Sequence, residues 1–143
     1  MIRGINHVTL AVTELDRSIW FYGTVLGMRL VSNHEDGAYL EAGTLWLCLS
    51  VDPNVARHER LDYTHIAFDI DKEHFEEFAA KLKTNNVRVW KQNRSEGESV
   101  YFLDPDGHKL ELHVGTLASR LEAMGAAGRS ENESNKRVNQ CSR

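Results

Sequence analysis

Two histidines and one glutamate carry the chemistry that this sequence can do. His7 opens the alternating run Asn6-His7-Val8-Thr9-Leu10-Ala11-Val12, and His65 opens a second run of the same pattern, Thr64-His65-Ile66-Ala67-Phe68-Asp69-Ile70. Glu111 lies in a third such run near the end of the apolar part of the chain. Two imidazoles and one carboxylate form a ligand set for a divalent metal, with positions left open for water or substrate. The same set suits non-haem iron(II). Taken singly, each is an ordinary hydrogen-bonded polar residue; the repeat-equivalent histidines together with the glutamate favour a metal. His34, His58 and His74 read as exposed. His108 reads as a turn residue, and His113 either as a support for the ligands or as an ordinary sheet residue. Cys48 has no obvious base partner and reads as filler rather than nucleophile.

These residues need elements to position them, and the sequence supplies a repeat. Each alternating run reads as a strand and is followed by a helical pattern. The first pattern runs from Ser18 to Leu26, with Thr13 or Asp16 as candidate caps. The second runs from His74 to Leu82, with Phe75, Phe78, Ala79 and Leu82 at helical spacing. Gly27 and Asn85-Asn86 are stop signals. Strands follow at 29–32, 38–42 and 45–50, matched by 88–91, 100–103 and 109–114. Each half is therefore β-α-β-β-β, and the chain is an α+β protein of two modules, about 4–50 and 62–114. A helix closes it at 117–124, so that 1–124 form one domain. A sheet with a helix on one face leaves its other face bare, and two halves can close around a cup. Strand parity turns His7, Thr9, Trp46, Cys48, His65, Glu111 and His113 into that cup. It brings the three candidate ligands into one polar cavity and puts Trp46 where the other half has Glu111.

Composition narrows the classes. The chain has 143 residues, 41% hydrophobic and 27% charged, which suits one globular domain. Its two cysteines, Cys48 and Cys141, exclude a disulfide scaffold and suit a cytoplasmic protein with reduced thiols. No apolar run approaches the roughly 20 residues that cross a bilayer, and the start lacks the apolar stretch of a signal peptide. A net charge of -4 argues against broad nucleic-acid binding. Residues 125–143 hold no aromatic and almost nothing to bury, and read as a disordered polar tail.

Several stretches resemble a known family. They include Gly37-Ala38-Tyr39-Leu40, Leu45-Trp46-Leu47-Cys48-Leu49-Ser50, Trp90-Lys91-Gln92-Asn93-Arg94-Ser95-Glu96-Gly97 and Tyr101-Phe102-Leu103-Asp104-Pro105-Asp106-Gly107. With the paired-module pattern, these resemble the vicinal oxygen chelate (glyoxalase/bleomycin-resistance) superfamily and, within it, the FosA-type fosfomycin-resistance glutathione transferases. The Asp-Pro-Asp-Gly turn is shared widely across the superfamily, whereas the stretch from Lys91 to Gly97 is far more specific.

The resemblance implies a Mn(II) site made by His7, His65 and Glu111, and a homodimer in which His7 comes from one chain and His65 and Glu111 from the other. It implies fosfomycin as substrate and glutathione as co-substrate, the thiol attacking the epoxide carbon that bears the phosphonate. Lys91, Ser95, Tyr101 and Arg120, with Thr9, would bind the phosphonate. Trp46 would wall the carbon skeleton, and Thr9 and Tyr39 would take part in catalysis, Tyr39 on the glutathione side. The oxygen-rich stretch Asn93 to Ser99 reads by itself as a polar hairpin loop. The resemblance implies a potassium ion there, held by Asn93, Ser95, Glu96, Gly97 and Ser99. Another thiol or water as nucleophile is the nearest alternative. An iron dioxygenase or a metal-free drug-binding protein on the same fold is more distant. Ile66 departs from the family, which often has tyrosine at that place, as does the polar tail.

Overall fold

A computed structural model describes residues 1–55 and 57–126. The chain folds as two copies of one motif. The first has β1 (His7–Val12), a helix α1 (Leu15–Ile19) that runs on as π-helical turns over Trp20–Val25, then β2 (Arg29–His34), β3 (Gly37–Ala42) and β4 (Leu45–Val51). The second has β5 (Ile66–Asp69), α2 (Lys72–Thr84), β6 (Val89–Lys91), β7 (Glu98–Leu103) and β8 (Lys109–Val114). Each motif makes a four-stranded sheet, in the orders β1-β4-β3-β2 and β5-β8-β7-β6, with the first two strands of each order parallel and the others antiparallel. The α+β two-module architecture that the repeat predicts is thus the observed one.

The alternation of apolar residues explains which face is covered. Leu10, Val12, Leu40, Leu47 and Leu49 of the first sheet and Phe68, Phe102, Leu110 and Leu112 of the second join Phe21, Tyr22, Val25 and Leu82 of the helices in one core. The opposite face of the first sheet has no such cover: His7 and Thr9 are exposed, as are Tyr39 and Trp46, at 39% and 38%.

The repeat extends to an irregularity. Between Leu30 and Ser32, and again between Val89 and Lys91, the register against the neighbouring strand slips by one residue, a β-bulge at the same place in both modules. The second bulge decides where Lys91 points. Val89 pairs with the core residue Phe102, and plain alternation would keep Lys91 on that face. The extra residue, Trp90, turns Lys91 instead beside Tyr101 on the bare face.

Two modules need a fastening, and the Asp-Pro-Asp-Gly turn provides it. Asp104 accepts hydrogen bonds from the main-chain N–H groups of Asp106 (2.9 Å) and His108 (2.8 Å), while its other oxygen takes the Tyr22 hydroxyl at 2.7 Å. Burial and the neighbouring Asp104 carboxylate hold the Tyr22 phenol well above its usual pKa. Asp106 accepts from the Thr13 hydroxyl at 2.6 Å and from the Thr13 N–H, and His108 Nε2 donates to the carbonyl of Ala11 at 2.8 Å.

Several boundaries differ from the sequence reading. Neither Thr13 nor Asp16 caps α1. The N-cap is Glu14, with no side-chain cap bond, and Thr13 is held by Asp106 from the other module. β5 starts at Ile66, so His65 stands just ahead of its strand. The closing helix covers 117–126, two residues beyond the expected end, and the remainder of the polar tail lies outside the described residues. The stop signals act as read: Gly27 has φ +74° and Asn86 φ +55°, the left-handed conformation that ends a helix.

The register also corrects one equivalence. His7 and His65 begin equivalent runs, so Thr9 matches Ala67; Thr9 pairs with Cys48, and Ala67 pairs with Glu111. Cys48 therefore holds the place of Glu111, and Trp46 matches Lys109. The expectation for Trp46 was out of step by one pair of residues along the strand.

Candidate active site

Glu111 sits mid-strand on β8, between β5 and β7, with its side chain only 7% exposed. Its Oε2 lies 3.0 Å from Nε2 of His65. The other ring nitrogen of His65, Nδ1, is 2.8 Å from the carbonyl oxygen of Tyr63. A carbonyl can only accept, so Nδ1 carries a proton and Nε2 is the nitrogen turned toward Glu111. At this distance either a proton on Nε2 or a metal ion held by both groups joins the imidazole to the carboxylate. Two donors at about 2.1 Å from one ion and at right angles to each other lie about 3 Å apart, so the observed spacing fits a divalent metal. The carbonyl bond to the far ring nitrogen is the usual way in which a ligating histidine is oriented.

A group suited to an anion surrounds this pair. Lys91 donates to the Tyr63 hydroxyl, and its ammonium stands 4.6 Å from the ring centres of both Tyr63 and Tyr101. The Tyr63 hydrogen bond, with smaller contributions from the tyrosines and Glu111, holds its pKa above the usual lysine value. Ser95 Oγ is 3.4 Å from the Tyr101 hydroxyl. Arg120, on the closing helix, places Nε 4.0 Å from the Glu96 carboxylate. The rings of His65, Tyr63, Trp90 and Tyr101 pack on one another at centroid distances of 5.0 to 6.0 Å.

The loop from Asn93 to Ser99 is tightly self-bonded. Asn93 accepts from the N–H and hydroxyl of Ser95 and donates to the Gly97 carbonyl at 2.9 Å. Glu96 Oε2 is buried without a hydrogen-bond partner and faces Nε of Arg120 at 4.0 Å. Ser99 turns its hydroxyl to Glu111 Oε1 at 2.6 Å.

The remaining candidates lie on the first sheet. His7 packs on Trp46 at 4.7 Å and bonds the Asn6 side chain; Trp46 packs on Tyr39 at 5.5 Å; Thr9 pairs with Cys48. No side-chain hydrogen bond or aromatic contact among the described residues joins this group to the His65–Glu111 group. One chain therefore brings together two of the three expected ligands, and the single cavity expected for all three is not formed within it. The only three-residue cluster with metal-ligating spacing among the described residues is the exposed Asp71, Glu73 and His74, at the start of α2. A cavity of about 500 Å³ lies elsewhere, between the 52–62 linker and the Asp104 turn, and none of the expected site residues lines it.

The sequence reading missed Tyr63 and Trp90, whose aromatic spacing around His65 was the available signal. It turned His113 into the cup without naming its partner, and it gave Ser99 a part only in the potassium loop.

Comparison with known proteins agrees with this layout. Residues 4–112 match the model of the Glyoxalase/Bleomycin resistance protein/Dioxygenase superfamily. The chain is 50% identical over 125 residues to the glutathione transferase FosA of Serratia marcescens, covering 86% of this chain and 89% of that protein. It is 42% identical over 126 residues to the metallothiol transferase FosB of Staphylococcus saprophyticus, covering 85% and 83%. The fosfomycin resistance protein FosX of Listeria monocytogenes superimposes with a TM-score of 0.76 at 31% identity, covering 86% of this chain and 99% of that one. A variant of that protein complexed with Mn(II) and 1S,2S-dihydroxypropylphosphonic acid does so with a TM-score of 0.73 at 29% identity, covering 85% and 99%. The chain belongs to the glyoxalase/bleomycin resistance protein/dioxygenase superfamily.

Proposed function

We propose that this chain is a metal-dependent glutathione transferase that opens the epoxide of fosfomycin and so confers resistance to it. The observation that carries the reading is the company kept by His65 and Glu111: Lys91, Ser95 and Tyr101 stand beside them, a cation and two hydroxyls suited to a phosphonate. The likeness to FosA supports glutathione as the thiol, and the FosX complex supports Mn(II) and a phosphonate ligand.

His65 and Glu111 of one subunit, with His7 of the partner subunit, would hold the ion. That ion supplies a Lewis acid for the epoxide and phosphonate oxygens. Lys91, Ser95, Tyr101 and Arg120 bind the phosphonate, with Thr9 facing it from the other sheet and Trp46 against the carbon skeleton. Tyr39 stands on the thiol side, where a hydroxyl helps the sulfur give up its proton. The thiolate sulfur bonds to the epoxide carbon that bears the phosphonate. That carbon's bond to oxygen breaks, and the oxygen leaves as an alkoxide and takes up a proton. Use of glutathione goes with a cytoplasmic location.

Potassium at Asn93, Ser95, Glu96, Gly97 and Ser99 would brace Lys91 and add positive charge near the phosphonate. The density of oxygen atoms from Asn93 to Ser99 supports it, and Ser99 keeps one lone pair free for such an ion. Potassium should then raise the initial rate more than sodium at equal ionic strength, since screening alone treats the two alike. Equal rates in both salts would remove the site.

Mass analysis of the product after incubation with fosfomycin, Mn(II) and alternative thiols tests the activity. A glutathione adduct is expected. The diol of water addition, or an adduct only with another thiol, would replace glutathione as the nucleophile.

A further inference from the structure

Behind Glu111 lie His113, which the proposed chemistry does not use, and Ser99, which it places only in the potassium loop. Ser99 Oγ is 2.6 Å from Glu111 Oε1 and 2.7 Å from Nδ1 of His113. A hydroxyl has one hydrogen, and Glu111 as a carboxylate can only accept. The Ser99 hydrogen therefore goes to Glu111, and Nδ1–H of His113 donates to Ser99. Donors and acceptors run in one direction, from His113 through Ser99 to the oxygen of Glu111 that faces away from His65.

The His113 ring has little freedom to leave this position. A Cβ on Gly97 would meet the ring at 3.0 Å and the Val114 carbonyl at 2.5 Å, and one on Gly115 would meet Nε2 at 2.7 Å. Gly97 also has φ +80°, which favours glycine. Two glycines thus let the backbone close on the imidazole.

We infer that His113 is a positioning residue for the metal site, fixing the Glu111 carboxylate through Ser99. The inference rests on the reading of His65 and Glu111 as metal ligands. A carboxylate anchored at Oε1 keeps Oε2 directed at His65 and loses little freedom when an ion binds. Such support of a metal ligand is typically worth about 10- to 100-fold in affinity.

The test is Mn(II) affinity, measured by electron paramagnetic resonance on the full chain with no substrate, together with melting of the metal-free protein to report folding. His113→Ala and Ser99→Ala should each weaken Mn(II) binding about 10- to 100-fold, and the double variant no further than the weaker single one. His113→Asn puts an N–H close to the place of Nδ1–H and should stay within about threefold of the parent. Parent-like affinity in Ser99→Ala, or equal loss in the Asn and Ala variants of His113, would overturn the relay. Glu111→Gln separates the two levels: if it binds Mn(II) as the parent does, the metal assignment falls and the relay with it. If it loses Mn(II) while Ser99→Ala does not, the relay alone falls.

Discussion

A histidine whose Nδ1–H is committed to a carbonyl has Nε2 as its one site for a metal, and Tyr63 orients His65 in this way. Glu111→Gln then has a two-sided consequence. The new amide keeps a hydrogen bond to Nε2 whether that nitrogen donates or accepts, so the metal-free protein should stay folded and melt close to the parent temperature. The neutral side chain should bind Mn(II) far more weakly, with activity down by about 100-fold or more. Melting curves and Mn(II) binding check both sides, and full Mn(II) binding would sink the ligand assignment. Ser18 is a simpler case. It is fully buried in the first helix, and its hydroxyl has no hydrogen-bond partner. Ser18→Ala removes an unsatisfied polar atom and improves helix propensity, and should stabilise the protein by about 1 kcal/mol in urea unfolding. A loss of stability would show that the hydroxyl is satisfied. How far single residues were legible follows from the same geometry. His65 and Glu111 could be read because their strands alternate cleanly. Lys91 could not be turned to the bare face by parity, since the bulge at Trp90 reverses it, and only resemblance suggested its role. The Ser99–His113 pair was invisible for another reason: hydroxyl and imidazole directions depend on contacts across strands, which no one-dimensional pattern holds.

At the scale of elements, the turn from Asp104 to His108 does more than reverse the chain. Its three side chains reach Tyr22, Thr13 and Ala11, so one hairpin of the second module supplies the start of the first helix with the acceptor that its own sequence lacks. This explains why the caps were misread: the partner of Thr13 lies 93 residues away. The succession of strands and helices along the chain and both stop signals were legible because they rest on local periodicity and on Gly27 and Asn86. The π-helical turns of Trp20–Val25 were not, since the same apolar residues suit an α-helix. The latch carries a pH signature. Burial, the largest influence on Asp104, raises its carboxyl above the ordinary 3.8, outweighing the opposing bonds and His108. A carboxyl with a raised folded pKa binds its proton more tightly when folded. It therefore costs the folded state stability as pH rises through the window between 3.8 and the folded value, and the full cost remains above that window. Asp104→Asn keeps an oxygen for the two N–H groups and cannot ionise. Its stability relative to the parent should increase from about pH 4 to about pH 7 in urea unfolding. A relative decrease would mean that the turn stabilises the ionised carboxylate more than burial opposes it.

The whole molecule presents an unfinished cup on each sheet. The first displays His7, Thr9, Tyr39 and Trp46 in the open; the second holds His65, Glu111 and Lys91, and no side-chain hydrogen bond or aromatic contact among the described residues joins the two groups. Exposed aromatic rings beside a lone candidate ligand suit a face that another copy covers. In the proposed two-fold dimer the first sheet of each chain would face the second sheet of its partner, and reciprocity would then give two equal sites. The folded chain could be read from sequence as two matching halves, but which halves meet could not, because strand parity says inward or outward and never names the chain opposite. Mixing distinguishes the arrangements. His7→Ala chains and Glu111→Ala chains should each be inactive alone, since each damages both sites of its own dimer. In a heterodimer one site combines both substitutions, while the other has an intact His7 from one chain and intact His65 and Glu111 from its partner. After full exchange of equal amounts, about half the dimers are mixed and each carries one intact site, so activity should return to about a quarter of the parent value. Tags of different size on the two chains report exchange independently. Mixed dimers without activity would mean that each chain completes its own site, and the two sheets would then have to close on each other within a single chain.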